Sequence, residues 1–409
     1  MFLRLPQVAL MLGTAWAICA AIAADGDDAT LAGLFEAHRW FELRDAASAA
    51  PTPAIYRGAV AAAFNDRARA EKELRSAKPY QAWTAHDLLL SLYLRNGDYP
   101  RAAAEARLKW AARPEKTAPA QEQALVALFQ KWPSMAVMTR GPATVTYTTE
   151  GGDAFAPLVV NGEAAKFTLD TGGNMSAISE AEAKRLHLTI RAEEIALGGV
   201  TGSHGGGARS AVAERLTIGK TEFRNVAFLV MGDDQEPFKD YPLGERGILG
   251  LPVLLGVQTF RWNRQRQLEM GFAPGRVDLR SANLCFDGVD PLAQVVVQAH
   301  RLTVMLDTGG EDSELWPAFA GALPAAMSQG RKGSRDLTGL TGSASLEATV
   351  LPEVRVKLGG FEMLFRDAPV LARATVGASK WHHGRIGMDL LNQANRVTID
   401  FRAMQITLE

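Results

Sequence analysis

Cysteine is nearly absent, with Cys19 and Cys285 the only two in 409 residues. Once an export signal carrying Cys19 is removed, a single thiol is left and no intramolecular disulfide can form, so packing must hold the fold. Cys285 reads as a small buried hydrophobe. An excess of one charge is also lacking: 44 Lys and Arg stand against 45 Asp and Glu, a formal net charge of -1. That balance gives no electrostatic reason to bind nucleic acid or an anionic membrane, and the short cluster Arg261, Trp262, Asn263, Arg264 reads as a solvated strand end. Signatures of metal and cofactor sites are missing as well. The adjacent pair His382, His383 diverges on any regular backbone and has no H-E-x-x-H or Cys pair beside it, so it reads as a solvated loop. No G-x-S-x-G elbow appears, and the glycine runs lack both the Lys-Ser/Thr of a phosphate loop and the strand-helix setting of a dinucleotide site. No metal and no cofactor are expected.

The residues that are present fall into three textures. At the start, Arg4 precedes an apolar run over 8–24 that ends in small residues, the pattern of a secretory signal with cleavage after Ala23. The run falls short of the roughly 20 residues of a spanning helix, so an exported, periplasmic or secreted protein free of the membrane is expected after signal removal. A lipoprotein is the minor alternative, because Ile18 precedes Cys19 where a small residue is usual. From 25 to about 135 the chain is rich in Ala, Leu, Glu, Lys and Arg at helical spacing. Stretches 54–74 and 86–110 each place a turn, at Asn65-Asp66 and at Asn96-Gly97-Asp98, between helical runs. They resemble tetratricopeptide-type helix pairs. This region is a candidate surface for a protein partner, a spacer, or a segment lying over the C-terminal two thirds of the chain.

After Pro133 the texture becomes Val, Thr, Phe and Ile runs divided by Gly, Asn and Asp, which predicts short antiparallel strands. Asn161-Gly162 between two apolar runs predicts a hairpin. A short helix is predicted near 179–186, where Ser179 precedes acidic residues. Within this β region the same landmarks occur twice in the same order. KFTLDTGGNMSAIS, GGVTGS, LTIGKTEFRNVAFLV and RGILGLPVL are followed by TVMLDTGGEDSELW, LTGLTGS, VKLGGFEMLFRDAPVL and GRIGMDLL. Gly250 lies 80 residues after Asp170, and Gly387 lies 80 after Asp307. One D-T-G is a common turn tripeptide. Two of them, each after an apolar strand and each followed at equal distance by an apolar-Gly motif, indicate an internal repeat.

On these motifs, the region from about residue 142 to 409 resembles the bilobal aspartic proteases of the pepsin and retropepsin superfamily. The run FTLDTGGNMSAISEAEAKRLHL is especially similar to retropepsin-like enzymes of exported bacterial proteins. The resemblance implies a mainly β, bilobal double β-barrel behind an N-terminal α-helical, repeat-like domain. It divides the chain into a signal over 1–23, a helical region over 25–135, a first lobe over 140–275 and a second over 276–409. It implies an aspartic endopeptidase acting on peptides or unfolded proteins, with Asp170 and Asp307 catalytic. The chemistry of the motif agrees. Thr171 and Thr308 can brace the opposite loop, while Gly172 and Gly309 let the backbone pass close to the carboxylates. The family's substrate-covering flap falls on the glycine-rich stretches, with Gly198, Gly199, Val200, Thr201 and Gly202 in the first copy and Leu340, Thr341 and Gly342 in the second.

Two features depart from the family pattern. Gly173 and Gly310 follow the D-T-G motifs where relatives more often carry Ala, Ser or Thr, so a methyl or hydroxyl contact to each carboxylate is missing. Glu311 and Asp312 add negative charge beside the second motif, and they read as a solvated turn pointing away. The alternative function these departures leave open is a catalytically inactive protease-fold protein that binds peptides or partners.

Overall fold

The computed structural model describes residues 26–48, 52–150, 153–198, 204–273, 276–339, 342–373 and 380–409. The expected export signal, with Cys19, lies outside them. Seven α-helices lie between Gly26 and Phe129 among the described residues. Asn65 (φ 55°) reverses the chain between Ala54–Ala63 and Arg67–Arg75, and Gly97 (φ 71°) does so between Ala82–Arg95 and Tyr99–Ala111. Both reversals need the left-handed backbone that Gly and Asn adopt most cheaply. Asp66 caps Arg67–Arg75 by accepting the Arg69 N–H at 3.2 Å. Among the described residues no helix is long and apolar enough to cross a membrane.

The helical region packs directly on the β region. Trp40, Phe41 and Phe64 share one hydrophobic core with Leu284, Cys285 and Phe286, and Cys285 is fully buried there. Polar contacts pin the same boundary. Arg44 donates to the carbonyls of Leu279 and Ala282 at 2.7 and 3.0 Å, and Arg95 donates to the Gly288 carbonyl at 2.7 Å while its guanidinium lies over the Phe286 ring. His382 does not lie in a solvated loop. It is buried, and its Nε2 sits 2.9 Å from the Asp287 carboxylate, which also holds His38 of the helical region at 2.7 Å. Burial alone would raise the Asp287 carboxyl, but its electrostatic and hydrogen-bond interactions with His38 and His382 hold it well below the usual carboxylate range. His383 is half-buried and accepts the Thr303 N–H.

Three sheets form the β region. A ten-stranded sheet holds the first copy of the repeated motifs and an eight-stranded sheet the second. The third sheet joins them, in the order Ala143–Thr146, Gln267–Met270, Thr259–Asn263, Arg396–Asp400, Gln405–Leu408. Its central strand pairs residue by residue from Thr259 with Asp400 to Asn263 with Arg396, which welds the two halves through backbone hydrogen bonds. The Arg261 cluster spans the end of this central strand: Arg264 is exposed just past it, as expected, but Trp262 is buried and Arg261 is bonded to Thr398. The hairpin at Asn161-Gly162 forms, with φ of 49° and 95°, closing the Val160–Glu163 pair. A helix runs over Glu180–Arg185, capped by the Ser179 hydroxyl on the Glu182 N–H.

Candidate active site

Each D-T-G sits where a buried strand ends. Glu163–Leu169 runs parallel to Gly247–Leu249, and the Asp170 N–H continues that ladder by donating to the Leu249 carbonyl at 2.9 Å. His300–Leu306 runs parallel to Gly384–Ile386, and the Asp307 N–H donates to the Ile386 carbonyl at 3.0 Å. The apolar-Gly motif then crosses behind each loop. The Leu251 N–H donates to the Gly173 carbonyl at 2.7 Å, and the Met388 N–H to the Gly310 carbonyl at 2.8 Å. The hydroxyls of Ser176 and Ser313 accept the N–H groups of Gly250 and Gly387 at 3.1 and 2.9 Å. Those serines stand six residues after each aspartate, a second landmark shared by both copies that motif reading passed over.

The two loops grip one another. The Thr171 hydroxyl accepts the Thr308 N–H at 3.0 Å and donates to the Leu306 carbonyl at 2.7 Å. The Thr308 hydroxyl mirrors this, accepting the Thr171 N–H at 3.1 Å and donating to the Leu169 carbonyl at 2.7 Å. Each hydroxyl is used as both donor and acceptor, so a buried Thr is fully satisfied and each loop is tied to the opposite strand. Asp170 and Asp307 are buried against each other, at 2% and 0% exposure. Gly172 and Gly309 donate their N–H groups to Oδ1 of Asp170 and of Asp307 at 2.8 and 3.1 Å. The six residues expected in the site, Asp170, Thr171, Gly172, Asp307, Thr308 and Gly309, are thus in one place.

Burial pushes the Asp170 carboxyl well above its usual range, and the charge of Asp307 and the hydrogen bond with it add to the rise. The N–H groups of Gly172 and Gly173 oppose it. The glycines are required by contact across the interface. A Cβ on Gly309 would lie 2.3 Å from Asp170 Cγ, and one on Gly172 would lie 2.6 Å from Asp307 Oδ1. Because the four threonine bonds fix the spacing, Gly309→Ala should cost about 1–3 kcal/mol of stability through overpacking. Chemical denaturation would measure it, and an unchanged midpoint would mean that the loops can separate without loss.

Sequence reading missed three neighbours. Arg385 places Nη1 3.2 Å from Asp307 Oδ2 and Nη2 3.6 Å from Glu314 Oε2, all three side chains being largely buried. Glu314 in turn accepts from Trp316 Nε1 at 2.8 Å. Asp153 receives the Tyr241 hydroxyl, and burial raises its carboxyl to about 7, with the charge of Glu311 across the interface contributing. Asp153 and Glu311 line a cavity of about 100 Å³ beside Thr168, Gly310, Trp262 and Met388. Asp312 is not a free acidic turn, since it pairs with Arg335 at 2.7 Å.

Paired strands flank the glycine-rich stretches. Ile195–Gly198 pairs with His204–Ile218, closing at Gly198 with His204, and Arg331–Gly339 pairs with Gly342–Leu358, closing at Gly339 with Gly342. Gly199, Val200, Thr201, Gly202, Leu340 and Thr341 lie outside the described residues. Among the described residues no group of three or more His, Cys, Asp or Glu could hold a metal ion.

The described residues thus form a mainly β, bilobal fold with one D-T-G loop from each half, preceded by a helical region. Residues 156–253 match the family model described as aspartyl protease. A solved structure, a retropepsin-like aspartic protease from Rickettsia conorii, is 20% identical over 32% of this chain and 93% of that chain, with a TM-score of 0.24. No curated protein matches the chain.

Proposed function

We propose that this protein is an aspartic endopeptidase that hydrolyses peptide bonds in extended or unfolded polypeptides, with Asp170 and Asp307 as its catalytic pair. The observation that carries the reading is the reciprocal threonine grip, which holds two buried carboxyls face to face and engages one oxygen of each with a glycine N–H. Two carboxyls in contact cannot both ionise cheaply, so the pair keeps one proton over a wide pH range, as in aspartic proteases generally. The ionised member removes a proton from a water, which attacks the scissile carbonyl. The protonated member donates to the developing oxyanion, and the leaving amine takes a proton as the C–N bond breaks. The pair titrates as a unit.

The two halves repeat one pairing scheme, in which the strand after each D-T-G runs antiparallel to the apolar-Gly strand and parallel to the strand before it in sequence. That supports descent of both lobes from one duplicated unit and a site complete within one chain. The signal-like first residues support export to the periplasm or beyond, where unfolded polypeptides are substrates, and the helical region is a candidate partner surface.

Purified mature protein incubated with a reduced, unfolded protein between about pH 3 and about pH 7 should generate new termini, read by mass spectrometry. Folded protein that generates none over that range would overturn the assignment in favour of a peptide-binding protein.

A further inference from the structure

The two halves of the site match in backbone but not in charge. In the first half, Ile248 stands two residues before the motif's final glycine and pairs across strands with Ala177. In the second half those same places hold Arg385 and Glu314, paired in the same register. An apolar pair on one side thus faces an ion pair on the other, and only the second reaches an aspartate of the site. Arg385 Nη1 lies 3.2 Å from Oδ2 of Asp307, the oxygen not used by the Gly309 N–H. A Cβ at position 310 would come within 2.6 Å of that same oxygen. Gly310 therefore leaves open the flank from which Arg385 approaches, and Arg385 supplies the donor that a hydroxyl at position 310 does not.

We propose that Arg385 is a positioning residue that breaks the symmetry of the pair, so that Asp307 bears the resting negative charge and Asp170 bears the proton. This rests on the peptidase reading for its catalytic consequence, though not for the charge placement itself. In the reaction, Asp307 takes a proton from water as the new C–O bond forms, and Asp170 gives its proton to the carbonyl oxygen. Asp307 then passes its proton to the leaving nitrogen as the C–N bond breaks, and a hydroxyl of the intermediate returns a proton to Asp170. Atoms and charge balance, and the pair ends as it began.

The charged groups around Arg385 are Asp307, Glu314, Asp312 and Asp389, and two of these have other partners: Asp312 pairs with Arg335 and Asp389 accepts from the Ser313 hydroxyl. Asp307 itself faces Asp170 from the opposite loop. Burial disfavours the guanidinium charge, yet the surrounding carboxylates outweigh it and hold Arg385 above its ordinary range.

The test is a carbon NMR titration of protein labelled at the aspartate carboxyls, with Asp170→Asn used to assign the Asp170 signal. In wild type, the Asp170 carboxyl should be the member that loses its proton at the higher pH; finding Asp307 there would overturn the proposal whether or not the protein cleaves anything. In Arg385→Met combined with Glu314→Gln, which removes the Glu314 charge together with its cation, the acid-side inflection of the pair should move to higher pH by about one unit or more. Arg385→Lys should restore most of that shift, and Glu314→Gln alone should leave the order of titration unchanged. If the protein is a peptidase, the acid limb of kcat/KM moves with the NMR inflection. Hydrolysis with an inflection that ignores Arg385 would sink the proposal and spare the peptidase; an Arg385-dependent inflection without hydrolysis would do the reverse.

Discussion

Asp170→Asn should reduce peptide hydrolysis by about 10³-fold to 10⁴-fold, because it removes a general acid-base group from a pair that works as a unit. The same substitution should make the protein more stable at neutral pH. Burial and the neighbouring Asp307 raise the folded-state pKa of Asp170 above its unfolded value, so the folded state binds the proton more tightly than the unfolded chain does. Stability contributed by that proton is fully present below the unfolded value, near 3.9 for an ordinary Asp, and is lost as pH rises toward the folded value. An Asn carries no such loss. Melting temperatures of wild type and Asp170→Asn should therefore agree near pH 3 to within the cost of the altered hydrogen bonds, and diverge in favour of the variant above about pH 4. Asp307→Asn should lose activity to a similar degree but gain no such stability, since it leaves the buried Arg385 with only Glu314, 3.6 Å away, as a close counter-charge. Two substitutions identical in chemistry would then differ in sign on stability. Equal melting shifts for both would show that the two carboxyls sit in equivalent surroundings.

That asymmetry marks the limit of what could be read from the chain. The D-T-G loops were legible because they are local: an apolar strand, a carboxylate, a hydroxyl and a glycine in consecutive positions, each with a fixed stereochemical use. The hairpin at Asn161-Gly162 and the Ser179 cap were legible for the same reason. The equal 80-residue spacing was the one long-range signal, and it needed only counting. Partners joined by tertiary contact alone left no such trace. Arg385 meets Asp307 from 78 residues away, and Tyr241 meets Asp153 from 88. In sequence, the G-R-I-G run looks like its G-I-L-G counterpart with one polar intruder, and nothing local says which way that side chain turns. His382 was misplaced for a related reason. Adjacent histidines do diverge, as expected, but one of them is buried against Asp287 by a helical region whose position over the second sheet no local pattern encodes. In the Arg261 cluster the strand alternation carries what composition does not: Phe260 and Trp262 point to the core while Arg261 between them reaches Thr398 and Glu269.

The helical region holds the other large expectation. Lys109 is 4% exposed and lies between two buried carboxylates, 3.1 Å from Asp87 and 3.0 Å from Glu122. Its ammonium also lies 5.2 Å from the rings of both Trp83 and Trp110, and Trp110 donates its indole N–H to Glu122 at 2.8 Å. Burial raises the Asp87 carboxyl in spite of Lys109, a sign of how little solvent remains to support a charge there. Lys109→Met keeps the length and the apolar stem but leaves two facing carboxylates with no cation between them. It should cost on the order of 3–5 kcal/mol in urea unfolding, the usual penalty for stranding a buried charge. Adding Asp87→Leu and Glu122→Leu should recover most of that loss, because an apolar trio of similar volume has no desolvation to offset. A Lys109→Met midpoint close to wild type would mean that water reaches the cluster. The consequence would extend beyond the helices. Lys131, just past the last helix, pairs with Glu193 at the root of the first hairpin, and its carbonyl accepts from Arg191 at 3.0 Å. Since the helical core is continuous with apolar residues of the first lobe, including Met175 and Ile248 beside the carboxylate loops, a loosened Lys109 cluster should lower the cooperativity of unfolding in the lobes as well. A separate early transition confined to the helices would instead mean that the two regions melt independently.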